Sequence, residues 1–117
     1  MHLYEPPVND FQFIIHKLLK VQNLKLKGYS DLSADFTKTI FEEAGKLARE
    51  ELAPLNISGD REGCILENGV VRTPKGFKEA FLKVNSGGWT GIDCDPEFGG
   101  QGMPHVISLV IGEMFCS

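Results

Sequence analysis

The chain has 117 residues, with 12 basic against 16 acidic side chains and a net charge of -4. That is room for one domain with a modest core, expected to span residues 1–117. The acidic balance, without a basic cluster, argues against a nucleic-acid surface; Lys20, Lys25 and Lys27, spaced among leucines, read as a solvated helix end or loop.

Three cysteines, Cys64, Cys94 and Cys116, are odd in number and far apart, which suggests neither a zinc site nor a disulfide framework. Free thiols fit a reducing cytosol. The opening MHLYEPPVND lacks the basic and apolar segments of a signal peptide. No apolar run reaches the ~18 residues of a membrane span. The expected location is cytoplasmic.

In chain order, Pro6 and Pro7 keep the first residues extended. Asn9 or Asp10 is a candidate cap for a first helix, whose Phe11, Ile14, Ile15, Leu18 and Leu19 form the i, i+3, i+4, i+7, i+8 stripe of a buried face. Phe13 falls off that stripe, toward a second neighbour. Gly28 breaks the pattern, and Ser33 or Asp31 caps a second helix. Phe36, Ile40, Ala44, Leu47 and Ala48 line its expected inner face, and Glu42 with Lys46 form a favourable exposed pair. Pro54 should end this helix near Leu52, because it disfavours helical geometry at Ala53. NISGDREG then reads as a loop.

CILENGVVRT, near residues 64–73, reads as a β-hairpin. Asn68-Gly69 supplies the positive φ of a two-residue turn. An isolated hairpin is marginal in water, so it should lean on the helices. Thr73-Pro74 looks like a cap and first position of a third helix. Phe77, Ala80, Phe81 and Val84 form its buried stripe, and Gly87-Gly88 its end. Trp89 and Ile92 follow in a packed-down loop. Pro104 is the expected first position of a fourth helix. Its apolar residues, Val106 through Phe115, lie on every side, so it should be buried on most sides and seek a partner by self-association.

Candidate chemistry is thin. Gly99, Gly100 and Gly102 ahead of that helix offer a possible phosphate cradle. Yet the lysine of a P-loop is missing, and the G-x-G-x-x-G spacing is not met. A tight turn is the better reading. Glu113 is a carboxylate in an apolar helix, expected to meet a cation or solvent and not to act as a base. His2, His16 and His105 have no metal-ligand or triad spacing, and Asp93, Asp95 and Glu97 lack the twelve-residue calcium loop. The residues therefore give no catalytic and no metal site. They describe a mostly α domain of about four helices with one hairpin.

Several segments, however, resemble one family in order and spacing: EELAPLNISGDREGC, GVVRTPKGFKEAF, GGWTGIDCDPEFGGQGMP and GEMFCS. They are similar to the N-terminal helical domain of acyl-CoA dehydrogenases, and YEPPVNDFQFIIHKLL is similar to the N-terminal extension of a long bacterial branch. The resemblance implies a parent enzyme with FAD, an acyl-CoA substrate and an electron-transfer partner. In that family the flavin site and the catalytic glutamate belong to a middle β-domain and a C-terminal bundle. On that basis this chain alone carries neither cofactor nor activity and caps one side of the acyl-CoA crevice. Gly99, Gly100, Gly102 and Met103 are the implied substrate-binding edge. Glu113 matches a position that is not the family's base. In this branch an S-A-N run usually continues from E-M-x-x, and here the chain ends at its serine, Ser117, so the resemblance also implies truncation there.

Overall fold

The computed structural model describes residues 4–117. It is mostly helical, as expected, with five α-helical segments and one two-stranded hairpin. Helix α1 (Val8–Gln12) runs on into a π-helix over Phe13–Leu18. Its start corrects the expected cap. Pro7, and neither Asn9 nor Asp10, sits at the N-cap, and its carbonyl accepts the Phe11 N–H at 3.1 Å. The π-helix also breaks the expected stripe. Phe11 and Ile15 are buried, but Ile14, Leu18 and Leu19 are exposed, because the wider turn shifts the repeat from four residues to five. Phe13 is exposed as well, where a second neighbour was expected.

Residues 20–33 cross the molecule in two 3-10 turns, Val21–Asn23 and Tyr29–Asp31, and bury Val21 and Leu32. Gly28, at φ +83°, lets this segment pass the start of the last helix: a side chain there would meet Pro104 Cγ at 3.3 Å. Ser33 caps helix α2 (Ala34–Leu47) as expected, its Oγ accepting the Phe36 N–H at 3.2 Å. The buried face matches the expected one at Ala44 and Ala48 and lies one residue further on in the first two turns. It runs through Thr37, Phe41, Ala44 and Ala48, while Phe36 is exposed and Ile40 and Leu47 are half-buried. Thr37 explains the slip. Although polar, it is fully buried because its hydroxyl is paired. It donates to Gln12 Oε1 at 2.7 Å and lies 2.7 Å from His16 Nε2, which joins α1 to α2. The exposed ion pair is Lys38–Glu42 at 3.8 Å, in place of Glu42 with Lys46.

Pro54 does not end the helix. A π turn over Ala48–Leu52 carries the chain into α3 (Ala53–Glu62), so NISGDRE is helical and not a loop. The Ala53 N–H reaches back five residues to the Ala48 carbonyl. The widened turn falls where the proline ring and its missing N–H would disrupt an ordinary one. Gly63, at φ +67°, stops the helix.

Strands β1 (Ile65–Glu67) and β2 (Val70–Arg72) pair antiparallel with Leu66 opposite Val71. Asn68 at φ +51° and Gly69 at φ +75° make the expected turn. The hairpin does not lean on the helices: every strand residue is exposed on both faces. Helix α4 (Phe77–Ser86) starts at Gly76, not at Thr73-Pro74, because Pro74 closes a turn by accepting the Phe77 N–H. Only Ala80 of its expected stripe is buried; Val84 is half-buried, and Phe77 and Phe81 are exposed. Gly88, at φ +78°, ends the helix as expected. Ile92 enters the core, and Trp89 packs edge-on against Phe115 at 6.3 Å.

Helix α5 (His105–Cys116) has Pro104 as its N-cap and not as its first position. Ile107, Val110, Ile111 and Met114 are buried between α1 and α2. A strip through Leu109 and Glu113 stays open to solvent. No helix is long and apolar enough to cross a membrane among the described residues.

The result is a plate measuring 54 × 38 × 17 Å. Its radius of gyration is 16.5 Å, against about 13 Å for a compact chain of this length. Its accessible surface is 8238 Å², against roughly 6300 Å² for a compact monomer of this mass.

Candidate functional site

An open cleft of about 1320 Å³ lies between α3, α4 and the last turn of α5. Two glycines set α4 against α3. Gly59 is buried under the Phe77 ring, where a β-carbon would strike the aromatic carbons. Gly76 has φ +89°, and a β-carbon there would meet Leu55 Cδ2 at 2.8 Å. Two polar latches close the edges. Lys83 Nζ donates to Glu51 at 2.6 Å, and the Lys75 N–H donates to the Glu62 carboxylate at 3.1 Å. Between them the Phe77, Phe81 and Val84 stripe faces Leu52 and Leu55 across the open space. The stripe read as a packing face is thus a cleft wall.

The polar groups at this cleft are few. Tyr4 lies at its edge, and burial raises its phenol pKa above the ordinary value. A hydrogen bond with Ser117 opposes that shift and the Glu113 charge adds to it. Arg61 and Asp60 line the rim, with Cys64 and Cys116, whose thiols are free and exposed. Among the described residues no histidine lines it. An apolar trough with a polar rim binds and shapes.

The expected edge residues lie elsewhere. Gly99, Gly100, Gly102 and Met103 precede the first turn of α5, whereas the cleft meets its last turn. They build a tight turn. Gly99 at φ +86° and Gly102 at φ +67° need glycine geometry, and a β-carbon on Gly100 would collide with the Cys94 carbonyl. Met103 is half-buried against the core.

Five consecutive N–H groups, from Gly99 to Met103, donate to carbonyls of Pro96, Asp95, Gly91, Cys94 and Ile92. A pyrophosphate needs such donors free or cations in their place, and the Asp93 carboxylate already faces the start of α5. The phosphate-cradle alternative is overturned. The residues of this loop do not fit the pyrophosphate of FAD.

Sequence spacing missed one cluster. Asp93, His105 and Ser108 meet because the glycine turn folds residues 91–103 back on the helix. Asp93 Oδ2 accepts from Ser108 Oγ at 2.7 Å and lies 2.7 Å from His105 Nδ1. It is not a catalytic triad, for the serine hydroxyl and the imidazole share one carboxylate oxygen. The His105 hydrogen bond, followed by that of Ser108, lowers the Asp93 pKa. The cluster ties the loop to the helix. No signal at the level of spacing reveals it, since Asp93 is twelve residues from His105.

Among the remaining candidates, Glu113 meets solvent, one of the two outcomes expected for it. His16 is held by Thr37 and by Gln22 at 3.1 Å. His2 lies outside the described residues. Among those residues no group of three His, Cys, Asp or Glu is placed to hold a metal.

No family model matches the chain. It is 36% identical over 112 residues to 3-methylmercaptopropionyl-CoA dehydrogenase of Ruegeria pomeroyi, covering 95% of this chain and 19% of that protein. It is 26% identical over 116 residues to the broad-specificity linear acyl-CoA dehydrogenase FadE5 of Mycobacterium tuberculosis, covering 97% of this chain and 19% of that protein. The chain thus spans about a fifth of the length of the curated relatives it matches.

Proposed function

The chain is related to the acyl-CoA dehydrogenase family, and from that premise we propose that it is the N-terminal helical wall of such an enzyme. In this reading residues 1–117 are a single domain that caps one side of the crevice where an acyl-CoA thioester loses hydrogens from its α and β carbons. Gly99, Gly100, Gly102 and Met103 shape an edge of that crevice. FAD, the catalytic base and the docking site of the electron-transfer partner belong to the rest of the parent enzyme, and the chain is inactive alone.

The observation that carries the reading is the open α3–α4 cleft. Its aromatic stripe faces outward beside two glycines that set the spacing of α3 and α4. That is the form of a wall waiting for a neighbouring layer.

The test compares two samples given an acyl-CoA and a dye acceptor. A protein carrying this chain joined to its family's remaining domains should be yellow and reduce the dye. The 117-residue chain should do neither. Stoichiometric flavin in the short chain would contradict the proposal, as would a long form that binds FAD but oxidises no acyl-CoA.

A second reading, a stand-alone helical interaction module, draws on the same excess of exposed surface. A natural reading frame that stops after Ser117 would favour it.

A further inference from the structure

Between Lys17 and Lys27 the chain sets exposed leucines among lysines. Lys20, at φ +50°, turns the backbone out of the first helix in a left-handed conformation. Val21 and Leu32 are buried and pin the segment at two points. The other apolar side chains stay outside. Leu18 is 65% exposed and Leu19 55%, and Leu24 and Leu26 are exposed as well. The Leu24 N–H donates to the Val21 carbonyl at 3.0 Å, and the Tyr29 N–H to the Leu26 carbonyl at 3.2 Å, so both leucines stand on a hydrogen-bonded backbone.

The charge of this segment has one sign. Lys17, Lys20, Lys25 and Lys27 are all exposed, and no Asp or Glu occurs from Phe11 to Ser30. None of the four has an ion-pair partner among the described residues. Elsewhere Lys38, Arg49, Arg72 and Lys83 each hold a carboxylate. The lysines expected in a solvated loop are solvated, and the leucines among them are too.

We propose that this segment is a docking surface for an anionic phospholipid bilayer. A nucleic-acid backbone would take the lysines and leave the leucines in water. An apolar protein pocket would take the leucines and strand the cations. An anionic membrane surface takes both. The headgroups meet the ammonium groups, the leucines enter the acyl boundary, and the lysine stems lie along the apolar layer between them. The whole chain carries a net charge of -4, so such a surface attracts this segment and repels the remainder, which orients the contact. Contact of this kind rests at the interface and needs no membrane-crossing helix. The inference goes beyond the dehydrogenase reading and stands without it.

Co-sedimentation of the 117-residue chain with lipid vesicles tests it. Vesicles of phosphatidylcholine mixed with phosphatidylglycerol should bind the chain at least about tenfold more tightly than phosphatidylcholine alone, and high salt should remove the difference. Lys25→Glu with Lys27→Glu should weaken binding to the mixed vesicles at least about tenfold. Leu24→Ser with Leu26→Ser, which leaves the charge unchanged, should weaken it about tenfold. Both pairs are exposed, so the helical circular dichroism should not change. Lys75→Glu with Lys78→Glu, the same change of net charge at another exposed site, should weaken binding by less than about twofold. A chain that binds no vesicles, or both kinds equally, would overturn the proposal. So would binding that responds to only one of the two altered pairs in this segment, or a single-stranded oligonucleotide bound as tightly as the mixed vesicles.

Discussion

Helices α2 and α4 are both amphipathic, yet they spend their aromatic residues in opposite ways. Phe41 of α2 is 0% exposed and meets Phe11 edge-on at 6.2 Å. Phe81 of α4 is 60% exposed and faces an open cleft. The α1–α2–α5 layer carries its core within itself. The limb formed by α3, the hairpin and α4 keeps a comparable apolar stripe for something outside. An apolar stripe thus specifies that a face is to be covered and leaves open what covers it, and here the two outcomes sit side by side.

The sharpest way to break this contrast is truncation of one phenylalanine on each side. Phe41→Ala should cost about 3–5 kcal/mol, a large share of the roughly 5–15 kcal/mol that holds a domain. Phe81→Ala should change stability by no more than about 0.5 kcal/mol in the free chain. Thermal melts of both variants decide it, and equal losses would erase the distinction between layer and limb.

Smaller effects sharpen the boundary. Thr37→Val leaves His16 and Gln12 without their buried partner and should cost about 1–3 kcal/mol, read from denaturant midpoints. Gly59→Ala drives a methyl into Phe77. It should loosen α4 from α3 by about 1–3 kcal/mol and speed proteolysis between residues 63 and 76, while the main melting transition stays in place.

The smallest effect is acid sensitivity at the join of the glycine turn and α5. The Asp93 pKa is lowered in the folded chain, so its stabilisation is present above the unfolded value. It is lost as pH falls through the folded one. Asp93→Asn should cost about 1 kcal/mol or less at neutral pH and flatten the fall in stability below about pH 4. An unchanged acid profile would remove Asp93 from that role.

Much of the fold is legible in residues that act locally. Ser33 caps α2 and Asn68-Gly69 turns the hairpin because each effect lies within a few bonds. Reading failed where the partner is distant. Thr37 belongs to the buried face only because Gln12 and His16 meet it. Pro54 stops a helix by local rules, and a π turn lets it pass. The site was least legible. The Phe77–Phe81 stripe was visible as apolar spacing, but its facing a cleft depends on Gly59 and Gly76 setting the distance between two helices. The glycine run is legible as a tight turn, and its N–H groups are bound to carbonyls of residues 91–96.

Native-state hydrogen exchange on the free chain tests the division most directly. A self-sufficient layer with a loosely held limb predicts the slowest amides in α2 and in α5 up to Met114. Those of the hairpin and α4 should exchange faster, through local opening that leaves the layer intact. Uniform protection across α2, α4 and α5, lost in a single global event, would contradict it.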